Sequence, residues 1–131
     1  MNKRRKHFMI IMTIIIIVSV ILSKDVINLN KNEISRIEIF DGETGREAIM
    51  DNDEDISYII DNLNHIDFKR KKISLFYLGY RYRMTFYNKA GRKVESFVIN
   101  SKSNLRKDPF FYDDPSSSID IEYIDNVFTD K

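Results

Sequence analysis

Residues 80–87, Tyr-Arg-Tyr-Arg-Met-Thr-Phe-Tyr, decide the fold. In an extended chain Tyr80, Tyr82, Met84 and Phe86 fall on one side, and Arg81, Arg83, Thr85 and Tyr87 on the other. A period of two that separates apolar from charged side chains predicts a half-buried strand. Asn88-Lys89-Ala90-Gly91 supplies a turn, and Val94 to Asn100 returns as the partner strand, so an antiparallel sheet is built around this stretch.

Upstream, Ile34 to Phe40 alternates in the same way, with Ile37 and Ile39 opposite Arg36 and Glu38. Asp41-Gly42 and Gly45 tolerate positive φ, and Arg46 to Met50 closes a hairpin. The period then changes. Ile56, Ile59, Ile60, Leu63 and Ile66 form one stripe of a helix that ends at Asn64-His65. Asp51 with Glu54 resembles a capping box, and Asp53 and Asp55 complement the helix N-terminus. Downstream of the central hairpin the pattern weakens over Ser101–Tyr112, which reads as a loop followed by a short strand at 110–112. Pro115 and Ser116–Ser118 open a last helix, capped by Ser117 with Asp120 and striped by Ile121, Ile124, Val127 and Phe128. The order β-β-α-β-β-β-α predicts an α+β two-layer sandwich: an antiparallel sheet of about five strands with two helices on one face and the other face open.

The N-terminus obeys a different chemistry. Lys3, Arg4, Arg5 and Lys6 precede an apolar run from Phe8 to Leu22 broken only by Thr13 and Ser19. Those 15 residues make a helix of roughly 22 Å, shorter than the ~30 Å hydrocarbon core. The run is a signal anchor or a signal peptide. Ile21 at −3 from a cut after Ser23 disfavours cleavage, and Lys24 is placed to snorkel, so the anchor is the preferred reading. The four cations hold the N-terminus in the cytoplasm and send the rest across. The predicted layout is 1–23 signal anchor or signal peptide, 24–33 polar tether and 34–131 extracytoplasmic α+β domain. Secretion after cleavage is the alternative.

The formal charge of +1 hides an acidic domain: without the four leading cations, 21 basic and 20 acidic residues become 17 and 20, a net of −3. Such a domain has no global attraction for nucleic acid. There is no cysteine, hence neither a disulfide nor a lipid-bearing Cys after the apolar run, where Ser23 stands instead.

The Ile-x-x-Ile-x-Ile opening, the helix "DISYIIDNLN", the strand and turn "FYNKAGRKV" and the terminal "IEYIDNVF" resemble a domain of unknown function. That family occurs in small membrane- or lipid-anchored extracytoplasmic proteins of low-GC Gram-positive bacteria, and the resemblance covers residues 34 to 128. It implies an address and a fold. It carries no known catalytic residues, so none is transferred, and this chain departs from the lipoprotein members in lacking their cysteine.

Few residues point to chemistry. Asp51, Asp53 and Asp55 match positions 1, 3 and 5 of a calcium loop, but Ile56 replaces the required Gly and Asn62 the bidentate Glu. Helix capping explains the acids better. Lys69-Arg70-Lys71-Lys72, followed by Phe76, Tyr77, Tyr80 and Tyr82, mimics a polyanion-binding patch, for which wall polymers or lipid headgroups are the ligands outside a membrane. A solvated basic loop is the simpler reading. His65 stands alone as a helix-terminal histidine, and Asp113-Asp114 before Pro115 reads as a turn.

The sequence therefore predicts a membrane-anchored, non-catalytic binding or sensing module with no metal and no cofactor. Its bilayer contact is residues 8–22, its candidate partner is an envelope protein or an anionic wall polymer rather than nucleic acid, and its binding residues are Arg81 and Arg83 on the open sheet face, near Arg36, Glu38 and Glu95. An immunity or inhibitor protein binding one protein partner, and a small envelope hydrolase using surface carboxylates, are the alternatives.

Overall fold

The computed structural model describes residues 1–22 and 26–129. Ser23 and Lys24, which carry the expected cleavage and snorkelling positions, lie outside them. Helix α1 spans Lys3–Leu22, and none of its side chains is buried. Its 20 residues make it about 30 Å long, since the helix takes in the leading cations as well as the apolar run. It is long and apolar enough to cross a membrane or to serve as a signal sequence.

The remainder is an α+β unit. Strands β1 (Ile34–Asp41) and β2 (Glu47–Met50) form a hairpin, followed by α2 (Asp53–His65) and β3 (Lys69–Ile73). Then come β4 (Tyr82–Asn88), β5 (Lys93–Ser101), β6 (Asn104–Lys107), β7 (Phe110–Asp113) and the last helix, α3 (Ile121–Thr129). All strands join one antiparallel sheet in the order β2-β1-β4-β5-β6-β7-β3.

The sheet thus has seven strands where the sequence predicts about five. The two additional ones, β3 and β6, lack apolar alternation. Every β3 residue is exposed, and β3 exists because its main chain pairs with β7 at the sheet edge. A lysine-rich edge strand also discourages pairing with other chains. In β6 only Leu105 is apolar, too little for a period to register.

On the helix-covered face the register places Ile37 beside Phe86 and Ile39 beside Met84, with Phe97, Ile99 and Leu105 continuing the layer. Against it pack Ile56, Ile59, Ile60 and Leu63 of α2 and Ile124 and Phe128 of α3. The two helices touch through the stacked rings of Tyr58 and Tyr123, 4.2 Å apart. The cap of α2 is Asn52, one residue after the expected Asp51, because its extended backbone lets its side-chain oxygen accept from the N–H groups of Glu54 and Asp55. Likewise Asp120, rather than Ser117, caps α3 by accepting from the Tyr123 N–H at 3.0 Å.

Of the segment expected as a polar tether, Ile27 and Leu29 are buried in the core, and Asn64 brackets Leu29 by bonding both its N–H and its C=O. Gly45 adopts a φ of +73° in the β1–β2 turn, as its position predicts. Gly42 is needed for a different reason: its Cα lies against Tyr80, and a side chain there would strike the Tyr80 carbonyl oxygen.

Candidate functional site

The connection from β3 to β4 shapes the second face. β3 is an edge strand and β4 lies on the far side of β5, β6 and β7, so the chain must return across the sheet. Residues 74–81 do so over the face that the sequence predicts to be open. The strap is pinned at its start, where the Ser74 N–H donates to Pro109 O at 2.8 Å and its hydroxyl to Asp108 at 2.7 Å. At mid-span Arg106, only 8% exposed, donates to the Tyr77 carbonyl oxygen, and the Tyr77 ring meets Phe111 edge-on at 5.0 Å. At its end the Gly42 N–H donates to Arg81 O at 2.7 Å, and Tyr80 packs against Phe40.

This crossing separates the two arginines expected to share a surface. The ordered strand begins at Tyr82, two residues later than predicted, so Arg81 escapes the alternation. Its Nη2 donates to both oxygens of Asp125 in α3, at 3.0 and 2.9 Å, and the Tyr82 hydroxyl donates to the same carboxylate. Arg81 is therefore directed to the helix side, where it ties β4 to α3. Burial and the bond to Asp125 push the Tyr82 phenol up to about 12. Tyr123 is raised to about 12 as well, chiefly by its hydrogen bond to Asp55 and secondarily by burial. Glu95 also leaves the expected group: register places it beside Phe86, and it pairs with Lys107 at 2.7 Å.

Arg83 remains on the strap-crossed face. Its guanidinium lies over the Phe40 ring at 4.9 Å and faces the Tyr80 ring at 5.8 Å. Among the described residues no carboxylate pairs with it. Its neighbours on that face are engaged with one another. Arg36 pairs with Glu38 at 3.2 Å and covers the Tyr87 ring, and the Tyr87 hydroxyl donates to Glu38 at 3.0 Å, which raises the Tyr87 phenol. A guanidinium resting over two aromatic rings is partly positioned before an anion arrives and so loses less freedom on binding one.

The other candidates have structural work. Asp53 and Asp55 stand in the first turn of α2, and Asp55 is engaged by Tyr123. No group of three or more His, Asp or Glu able to share a metal ion occurs among the described residues. Asp114 is buried and accepts from Asp67 and from both donors of Ser116; the Ser116 bonds hold its carboxyl below the usual range. His65 ends α2, as its position predicts.

Sequence reading missed Phe40 and Tyr80 as partners of Arg83. Tyr80 was read as part of the core stripe, because nothing local announces that the strap inverts it onto the second face, where Phe40 lies. No family model, curated protein or solved structure matches the chain.

Proposed function

We propose that this chain is a single-pass, membrane-anchored extracytoplasmic binding module that engages an anionic partner of the cell envelope through Arg83. The observation that carries the reading is the guanidinium set between Phe40 and Tyr80 without an acidic partner, on a domain whose other face is closed by its helices. Five N–H donors in a planar fork suit carboxylate and phosphate groups. A single arginine with aromatic flanks and no carboxylate partner among the described residues suits recognition of an anion. Lys3–Lys6, in the first turns of α1 and ahead of its apolar run, favour a cytoplasmic N-terminus and an exported domain.

Two experiments test this reading. A reporter fused after Lys131 is expected to be active only outside the cytoplasm; cytoplasmic activity would overturn the address. Calorimetric titration of the full chain in detergent micelles with a glycerol-phosphate wall polymer is expected to show saturable, salt-sensitive binding that Arg83→Glu abolishes. No binding, or binding unchanged in R83E, would overturn the ligand class.

A further inference from the structure

The strap carries a feature that partner binding at Arg83 does not use. Between its fixed ends it turns apolar side chains outward: Phe76 is 98% exposed and Leu78 88%, with Leu75 and Tyr77 more than half exposed, and Ile73 at the end of β3 is exposed beside them. Phe76 also has a φ of +73°, a left-handed conformation that a bulky residue rarely adopts. A folding chain normally turns such residues inward. Here the base is fastened by Ser74, Arg106 and Tyr77, and the apolar tip is held away from the domain.

Immediately before the tip lie the four exposed cations of β3. Lys69 and Lys71 make long pairs of 3.5 Å, with the exposed Asp67 and the partly buried Asp113. Arg70 lies over the Phe110 ring and Lys72 over Tyr77 and Phe111, neither with a carboxylate partner among the described residues. On a domain of net −3 this is a concentrated positive pole.

The same pole is where the chain leaves α1. The last helical residue is Leu22, and Val26 is already fastened to the domain, its carbonyl oxygen accepting from Lys107 at 3.4 Å. Four residue steps span at most about 14 Å. Lys107 is followed by Asp108 and Pro109, which hold Ser74 and thus the base of the strap. A cleft of about 800 Å³ separates Val20–Leu22 from Phe68, Arg70, Lys107, Pro109 and Phe110. A domain so closely tied cannot stand away from the bilayer, and the end it turns toward the bilayer is the cationic, apolar one.

We propose that the tip Leu75–Leu78 inserts into the membrane interface while Lys69–Lys72 contact anionic headgroups, seating the domain on the bilayer in one orientation. Apolar insertion beside headgroup-paired cations is how peripheral segments hold to a surface. Seating turns the β3 edge to the lipid and leaves Arg83, toward the β1 side, accessible. The inference rests on α1 being a membrane anchor.

The chain has no tryptophan, so single probes can be introduced one at a time. Full-length F76W, I16W and I49W variants are reconstituted in phosphatidylcholine–phosphatidylglycerol vesicles containing lipids brominated on their acyl chains. Ile16 reports on α1, and Ile49 on β2, the sheet edge opposite β3. Expected is strong quenching of I16W and F76W with I49W unaffected, and loss of the F76W quenching when Lys69, Arg70, Lys71 and Lys72 are all changed to Glu. Quenched I16W with unquenched F76W would overturn the seating while leaving the anchor, and would assign the tip to a protein partner. If neither is quenched, the anchor fails and the seating falls with it.

Discussion

The two faces of this sheet solve the same problem with different chemistry. The helix-covered face is sealed by aliphatic burial: Ile37, Ile39, Met84, Phe86, Ile99 and Leu105 are each no more than 1% exposed. The strap-crossed face is held by a buried guanidinium, edge-on rings and cations laid over aromatics. Close-packed apolar contact is stable but leaves nothing to offer a ligand. The second face gives up some of that density and keeps an arginine and an apolar tip at the surface. One sheet thus separates what holds the domain together from what the domain presents.

The largest effects of substitution should fall on the first face. Phe86→Ala removes a fully buried ring packed on Phe97 and should cost ~3–5 kcal/mol in denaturant unfolding. A cost below about 1 kcal/mol would mean that the two faces are not so divided.

Next comes the turn that lets the strap cross. Asp41 is buried and accepts from Glu43 N, Thr44 N and the Thr44 hydroxyl, at 2.8, 3.2 and 2.7 Å. Burial raises its carboxyl, but these bonds and the charge of Arg46 outweigh it, so the net shift is downward. A lowered folded-state value means stability that is complete above the ordinary carboxylate range and lost as pH falls through the folded value. Asp41→Ala should cost about 1.5–3 kcal/mol at neutral pH and flatten the acid limb of a pH–stability curve. An unchanged acid limb would show that other carboxylates set it.

At the opposite end of the pH scale, Tyr82 and Tyr123, both raised to about 12, bind their protons more tightly folded than unfolded. Their contribution is complete below the ordinary phenol value near 10 and lost as pH rises toward 12. Phenolate absorbance should show Tyr82 and Tyr123 among the tyrosines that titrate late, with one late component disappearing in Y82F and another in Y123F.

The smallest effects belong to the arginines. The Arg81–Asp125 pair is more than one-third exposed on both sides, so Arg81→Ala should cost about 1 kcal/mol or less. Arg83→Ala, with no ion pair to break, should cost under about 0.5 kcal/mol by thermal melting.

Much of the first face was legible in the sequence because it obeys local periods. The α2 stripe, the β1 alternation, the β4 alternation from Tyr82 onward and the Ile124–Phe128 side of α3 appear in the structure as read. The second face was not legible, for a topological reason. No residue between 69 and 81 announces that β3 lies beyond β7, yet that placement creates the strap, inverts Tyr80 and draws Arg81 away from Arg83. Charge runs such as Lys69–Lys72 carry no period, so strand formation driven by main-chain pairing left no trace in them. The paired candidate Arg81 and Arg83 thus splits into a bridge to a helix and an exposed donor.

That split can be measured directly. Titrating R81A and R83A side by side with the glycerol-phosphate polymer, under conditions where both remain folded, separates the arginine paired with Asp125 from the one with no carboxylate partner among the described residues. R83A is expected to lose binding while R81A keeps the affinity of the unaltered protein. Equal loss in both, or loss in R81A alone, would contradict the assignment of the contact surface to Arg83 between Phe40 and Tyr80.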